Sequence, residues 1–352
     1  MGNGKMLGVV HYALREKAIE VRECPMPQIK PDEVLLQVEA VSVCGSEVHH
    51  YFNTLSWPVN VPVILGHEFC GVVAEKGSDV RGFAEGDRVV SETAARICGA
   101  CTYCLTGEYN LCRKRLGFGY GVDGGMAQYV AVPARCLHRL PDRLSFEEAA
   151  MTEPTSVAYN AVAVKSQIRP GESVAVMGPG PIGLLCLQMA RVCGASPLLM
   201  LGVAADRPRL NLARELGADI TVDVETENAV EKVNEIGDGL GLHVVIDATG
   251  HSAALKQALE LVRPGGRITK VGWGPTPLNF SLDPLVQKAV TLQGSFSHNY
   301  PMWEQSIKLL AEGKIRTQPL AEKIAPLADW ESCVVGMAQR EIVKAVLKPQ
   351  ES

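Results

Sequence analysis

Ser173-Val174-Ala175-Val176-Met177-Gly178-Pro179-Gly180-Pro181-Ile182-Gly183 is the stretch from which the rest of the chain can be read. A short apolar run stops at a glycine, and an amphipathic period then runs from Ile182 to Val192. The glycine spacing alone is weak evidence, but a buried strand before it and a helix after it make it a strong dinucleotide fingerprint. Gly178 permits the tight turn, Gly180 lets backbone approach a pyrophosphate, and Gly183 lets the helix pack close; Pro181 and Ile182 open a helix whose amino terminus favours phosphate charge. The competing reading is an ordinary turn, which the surrounding pattern disfavours.

Working outward, Pro197 to Leu201, His243 to Asp247 and Arg267 to Val271 read as buried strands, and Arg209 to Leu216 and about Ala253 to Val262 as helices. That alternation predicts βαβ units and a doubly wound parallel sheet. Residues 1 to about 150 instead carry short apolar alternations, such as Glu33 to Val41, cut by Gly, Pro and Asp turns, and predict a mostly β lobe. After Gln293-Gly294 the last helix and strand are expected to return to that lobe. The second strand of the parallel sheet should end at Gly202, where an acid would bind the ribose of NAD. Asp206 comes late, with Arg207 and Arg209 close by. The arginines either bind a 2′-phosphate or form a solvated helix face capped by Asp206, so NAD and NADP both stay open. Asp247 and Thr249, at the end of a later strand, are expected near the cofactor, with a mere cap of the following turn as the alternative reading of Asp247.

The chain has 352 residues, 47% hydrophobic and 21% charged, with a formal net charge of −5. Its length favours two domains, and its composition is that of a globular protein. Lys and Arg form no basic stripe, which argues against nucleic acid as a partner. The first ten residues lack the apolar core of a secretion signal, and Met6 stands where a lipid acceptor at Gly2 would want Ser or Thr. The uncharged run from Ser173 to Ala190 is broken by Gly178-Pro179-Gly180-Pro181, so no membrane span is expected. Eleven cysteines without an export signal point to a reducing, cytoplasmic setting.

Cys98, Cys101, Cys104 and Cys112 lie within fifteen residues. Two-residue gaps let three thiolates converge from one loop and the longer gap brings the fourth, which reads as a closed structural zinc site. Disulfides and an iron–sulfur cluster are the alternatives. Upstream lie Cys44-Gly45-Ser46-Glu47-Val48-His49 and Gly66-His67-Glu68-Phe69-Cys70, and downstream Glu153-Pro154.

These elements, their order and the glycine fingerprint resemble the zinc-dependent medium-chain dehydrogenase/reductase family over essentially the whole chain. Glu153, standing where the alcohol dehydrogenase branch places a cysteine ligand, makes the chain most similar to the sorbitol (polyol) dehydrogenase branch. The resemblance implies a mostly β, GroES-like catalytic domain from 1–156 and 295–352, with a Rossmann cofactor domain at 157–294. It implies a catalytic zinc on Cys44 and His67, with Glu68 and Glu153 ligating directly or through water, and a proton relay through Ser46 and His49. The zinc would favour ionisation of a substrate alcohol while hydride passes to NAD or NADP. His50, Tyr51 and Phe118 are candidate cleft residues, with core packing an equal reading for Phe118. Ser297-His298-Asn299-Tyr300 departs from the arginine and aromatic residue of the branch, so sorbitol itself is not implied.

The expected activity is oxidation of a secondary alcohol, whether polyol, sugar alcohol or sugar acid, to a ketone. Threonine dehydrogenase-like amino-alcohol oxidation, a catalytically idle zinc and nucleotide binding protein, and a zinc hydrolase are the rivals. The expected partner is a small molecule, with a homodimer or homotetramer by family analogy.

Overall fold

A computed structural model describes residues 4–350 except 276. The chain divides into two compact units: residues 1–153, 299–313 and 317–352 form one, and residues 154–298 with 314–316 form the other.

The first unit contains β1 (Lys5–His11), β2 (Ile19–Pro25), β3 (Glu33–Ser42), β4 (Val63–Ile64), β5 (Glu68–Lys76), β6 (Arg88–Ser91), β7 (Tyr129–Pro133) and β8 (Leu137–Arg139). The second contains β9 (Val174–Met177), β10 (Leu198–Gly202), β11 (Ile220–Asp223), β12 (Leu242–Asp247), β13 (Val262–Lys270) and β14 (Thr291–Gly294). The chain then returns to the first unit with β15 (Ala321–Pro326) and β16 (Lys344–Lys348).

A three-stranded sheet has the order β2-β1-β4, and a seven-stranded sheet runs β15-β16-β3-β5-β6-β8 with β7 also on β3. Val34, Leu36, Val38 and Phe69 from this larger sheet pack with Trp330 and Cys333 in the first unit's core. Alternation along β3 places Val34, Leu36 and Val38 on one face. Two features of this sheet matter for chemistry. Ser42 and Glu68 stand opposite each other at the ends of β3 and β5, and β16 pairs with Val41 and Ser42 on the side of β3 that β7 takes nearer its start.

The second unit is built on a six-stranded parallel sheet of order β11-β10-β9-β12-β13-β14. The chain order reverses at β9 and β12, the switch point at which open α/β sheets bind ligands beyond their carboxyl ends. β13 is longer than its sequence pattern suggests, starting at Val262 directly after the helix Ser252–Leu261, because a register shift against β12 lets it pair at both ends.

Candidate metal centres and dinucleotide site

The helix Gly45–Tyr51 begins at Cys44, whose backbone N–H donates to Glu47 Oε2 at 2.9 Å. This reciprocal cap fixes both side chains at the start of one turn. His67 follows Gly66, whose φ of +92° and lack of a Cβ are required: a Cβ there would lie 2.7 Å from Met126 Cγ and backbone N. Glu68 then opens β5. The donor atoms of Cys44, His67 and Glu68 come within 4.8 Å of one another. Tetrahedral zinc bonds of about 2.0–2.3 Å put neighbouring ligand atoms roughly 3.3–3.8 Å apart, so a small contraction would close this set around an ion.

The electrostatics fit a cation. Burial pushes the Cys44 thiol up, and the charge of Glu68 adds to it; burial also raises the Glu68 carboxyl, with Glu153 adding to the rise against the opposing effect of Lys344. Burial alone would lower His67, but Glu47 and Cys44 outweigh it and hold it well above the ordinary histidine range. The field that favours a proton on His67 is also one that favours a divalent cation. Glu68 Oε1 is buried and has no hydrogen-bond partner. Such an orphaned carboxylate oxygen among soft and imidazole donors is the expected state of a metal ligand.

Two residues behind these donors were missed in the sequence. Glu47 Oε1 stands 3.4 Å from His67 Nδ1. Burial would raise this carboxyl, yet His67 and the Cys44 N–H hold it at about 2. A carboxylate behind a ligating imidazole fixes its ring and tautomer. Lys344 Nζ is 2.7 Å from Glu68 Oε2 and donates to Val43 O at 2.9 Å, with its side chain 2% exposed. Ser42 Oγ donates to the same Oε2. Oε2 is thereby held by protein, and Oε1 is left without a hydrogen bond. Burial would lower Lys344, but Glu68 and Cys44 raise it, so the ammonium is retained.

Glu153, in the first turn of the helix Thr152–Tyr159, is buried and close enough to act electrically on Glu68 and Lys344. It is not in the mutually close donor set. Ser46 Oγ donates to Glu47 Oε2 at 3.2 Å, and half-buried His49 pairs through Nδ1 with Thr54 Oγ1 at 2.8 Å. His50 and Tyr51 turn inward. Their exposures are 1% and 4%, with His50 Nδ1 3.0 Å from His11 Nδ1 and the Tyr51 hydroxyl donating to Glu331. Phe118 is buried edge-on against Phe69, the core-packing alternative.

Cys98, Cys101, Cys104 and Cys112 form a second donor cluster. The Cys98 and Cys104 sulfurs are 3.8 Å apart and those of Cys101 and Cys104 are 3.5 Å apart. Zn–S bonds of about 2.3 Å in a tetrahedron give edges of about 3.8 Å, whereas a disulfide needs about 2.0 Å. All eleven cysteines are free thiols. Backbone N–H groups point at the sulfurs, from Cys101 to Cys98 at 3.3 Å and from Cys98 to Cys112 at 3.4 Å. The N–H groups of Ala100 and Cys101 bring the Cys98 thiol down to about 6, which favours the thiolate that binds metal. This loop also grips the start of the helix Tyr300–Ala311. Asn299 Nδ2 donates to Gly107 O at 2.9 Å and Tyr300 N–H to the Tyr109 hydroxyl at 2.6 Å. The Asn299 amide therefore already has a protein acceptor, and His298 is buried.

In the second unit the three glycines occupy distinct environments. Gly178 has φ +90°. A Cβ on Gly183 would fall 1.8 Å from Gly178 O, whereas one on Gly180 would meet nothing within 4 Å. The first makes the turn, the third seats the helix, and the second leaves its surface open for a phosphate. Pro181 starts the helix Pro181–Val192 and Ile182 follows it. Asp247 Oδ1 accepts from both N–H and Oγ1 of Thr249, and Asp247 Oδ2 pairs with Lys270 at 2.9 Å. Asp247 thus anchors the turn beside Gly178. Gly202 ends β10, and the carboxylate of Asp206 accepts from Val203 N–H at 3.3 Å. Arg207 and Arg209 stand in the first turn of the helix Arg207–Glu215. A cavity of about 410 Å³ opens at the carboxyl ends of β13 and β14, lined by Lys270, Trp273, Gln293, Ser295 and Phe296.

Residues 30–142 match the family described as alcohol dehydrogenase GroES-like domain, and residues 181–312 match zinc-binding dehydrogenase. A sorbitol dehydrogenase of Halalkalibacterium halodurans is 38% identical over 343 residues, 97% of each chain. A D-arabitol-phosphate dehydrogenase of Enterococcus avium is 38% identical over 98% of this chain and 99% of its own. The crystal structure of an alcohol dehydrogenase from Escherichia coli CFT073, complexed with NADH, superposes with a TM-score of 0.90 at 26% identity, covering 98% of this chain and 100% of that one. With both zinc-ligand clusters and the dinucleotide fingerprint in place, the chain belongs to the zinc-dependent medium-chain dehydrogenase/reductase family, in its sorbitol dehydrogenase-like branch.

Proposed function

We propose that this enzyme oxidises a secondary hydroxyl of a polyol, sugar alcohol or sugar acid to the ketone, passing hydride to NAD or NADP. The observation that carries the reading is the orphaned Glu68 Oε1 beside Cys44 and His67, in a chain that also holds the glycine fingerprint. When bound, zinc supplies Lewis acidity toward the substrate oxygen and the nicotinamide supplies the hydride acceptor.

The protein's own residues divide the remaining work. Cys44, His67 and Glu68 hold the metal, with Glu153 adding negative charge behind them. Glu47 orients His67, and Lys344 with Ser42 orients Glu68. Ser46 Oγ accepts the hydroxyl proton as it releases its own toward His49, and His49, half-buried and paired with Thr54, gives a proton up to solvent. Cys98, Cys101, Cys104 and Cys112 hold a structural zinc with no open coordination position. Gly178, Gly180, Pro181, Ile182 and Gly183 receive the pyrophosphate, while Gly202, Asp206, Arg207, Arg209 and Thr249 border the nucleotide. In this reading residues 1–156 and 295–352 are the catalytic domain and 157–294 the cofactor domain.

We further propose a homo-oligomer in which a second copy of the chain covers β14, the last strand of the parallel sheet. Trp273 is 56% exposed and packs against Phe296, which follows that strand. No helix among the described residues is long and apolar enough to cross a membrane. Eleven free cysteines support a cytoplasmic setting.

A panel of polyols, sugar acids, simple alcohols and L-threonine, assayed with both dinucleotides before and after chelation, tests the function. Polyol or sugar-acid oxidation lost on chelation and restored by zinc is expected. An undiminished rate in metal-free protein would contradict the mechanism, and a preference for threonine over every polyol would reassign the substrate.

A further inference from the structure

One buried amide holds the wall of the cavity at the carboxyl ends of β13 and β14. The chain leaves β14 through Ser295, Phe296 and Ser297, and Ser297 has a φ of +55°, uncommon for a residue with a side chain. Asn160 Nδ2 donates to Ser297 O at 2.7 Å and to Phe296 O at 3.3 Å. Two carbonyl oxygens face this atom, which identifies it as the NH2 of the amide. Asn160 is 1% exposed, and its Oδ1 has no hydrogen-bond partner among the described residues. The hydrogen bonds of this side chain thus go to the turn.

Asn160 opens the π-helix Asn160–Ser166, a rare winding that recurs at functional sites. This helix is fastened to the two strands that end at the cavity. Arg267 Nε on β13 donates to Ser166 O at 2.9 Å, Ser166 Oγ pairs with Thr269 Oγ1 at 2.8 Å, and Gln293 Nε2 on β14 donates to Lys165 O at 2.6 Å. Asn160 is therefore a fixed point from which the turn is set. Each trans peptide is planar, so pinning Phe296 O directs the Ser297 N–H to the opposite side, and pinning Ser297 O fixes the next plane. Phe296 lines the cavity, as does Ser295, whose buried Oγ has no partner among the described residues.

Resting on the dehydrogenase reading, we propose that Asn160 is a positioning residue for hydride transfer, acting through the backbone of Phe296 and Ser297. A sheet of this kind receives a dinucleotide across two halves, with the adenosine beyond the strands on one side of the fingerprint and the nicotinamide beyond those on the other. Here the second half is β12, β13 and β14. Hydride moves only between carbons held in near contact, so a displaced wall at these strand ends carries directly into binding and rate.

Calorimetric titration of zinc-loaded protein with two matched pairs tests this: NADH with ADP-ribose, and NADPH with 2′-phospho-ADP-ribose. Within a pair the ligands differ only in the nicotinamide half, and the pair that the wild type binds is the one read. Asn160→Ala is expected to weaken the reduced dinucleotide about tenfold, the scale of one or two hydrogen bonds, and to leave its nicotinamide-free counterpart unchanged. Unchanged binding of the counterpart also shows that the unit is folded. Adding Ser297→Gly separates positioning from backbone strain, because glycine adopts a positive φ freely. Thermal stability is expected to recover in that double variant, and dinucleotide affinity is not. Equal weakening of both ligands, weakening of neither, or affinity restored by Ser297→Gly would overturn the assignment. Binding of no ligand by the wild type would overturn the dinucleotide reading itself, and the proposal with it.

Discussion

Replacing Lys344 by methionine removes the only ammonium paired with Glu68 among the described residues while keeping the length of the side chain. The two charged groups lie 2.7 Å apart, with side chains 2% and 0% exposed. Breaking a buried pair by removing one partner costs about 3–5 kcal/mol, because the other charge stays buried. Only the Ser42 hydroxyl would still donate to Glu68 Oε2. The loss should therefore approach that range in chelator-treated protein and be smaller with zinc bound, when a second cation neutralises Glu68. The pH dependence has a definite sign. Without Lys344 the folded-state pKa of Glu68 rises further above its unfolded value, so the variant loses stability as pH rises through that interval. Urea unfolding followed by tryptophan fluorescence reports chiefly on the first unit, since Trp57, Trp303 and Trp330 lie there and only Trp273 lies in the second. Adding Glu68→Gln to Lys344→Met should restore about 2 kcal/mol or more, a coupling expected of residues in contact. A loss below about 1 kcal/mol without metal, or no recovery in the double variant, would refute the argument that this pair sets the carboxylate.

Three further outcomes follow from the site. Burial, with His11, His67 and His49 adding their charges against Glu47, holds His50 at about 4 rather than 6.5. The unfolded chain then binds a proton that the native state refuses, so stability should be full above about pH 6.5 and fall by roughly 3 kcal/mol toward pH 4. His50→Phe should flatten that slope in thermal melts across this range; an unchanged slope would assign the acid sensitivity elsewhere. Cys104→Ala should release the structural zinc and lower Tm by about 10 °C while leaving turnover measurable at low temperature. Full loss of turnover with Tm unchanged would reverse the roles given to the two metal clusters. Glu47→Gln should retain the fold but weaken zinc affinity by about 10–100-fold, as loss of a carboxylate behind a ligating imidazole does; competition with a chromogenic chelator reads this directly, and unaltered affinity would remove Glu47 from the metal site.

How much of this was legible from residue order depends on the range over which each constraint acts. Four sulfurs around one ion must come from a short loop, so Cys98 to Cys112 announce themselves by spacing. A phosphate turn must sit between a strand and a helix, so Gly178 to Gly183 do likewise. Glu47 was nearly as local, three residues after Cys44, but its spacing is also that of an ordinary helix cap, and nothing in the sequence ties it to His67. Lys344 had no local signal at all. It looks like any lysine entering a strand and reaches Glu68 because β16 returns to pair with β3. His11 and His50 are likewise joined only by the packing of β1 against the helix Gly45–Tyr51. The choice between core and cleft for Phe118 was a question of burial, which spacing does not encode; its edge-on contact with Phe69 answers it. Strand ends shifted where pairing outlasted the apolar run, as in β13.

Two zinc ions with separate duties are expected in this chain, one for chemistry at Cys44, His67 and Glu68 and one that only holds the cysteine loop. Metal analysis of purified protein, run alongside turnover, distinguishes them. Two zinc ions per chain are expected in the wild type, and one in a folded Cys44→Ser variant that has lost oxidation of every alcohol tested. Two zinc ions retained by Cys44→Ser, or wild-type turnover in that variant, would contradict that division.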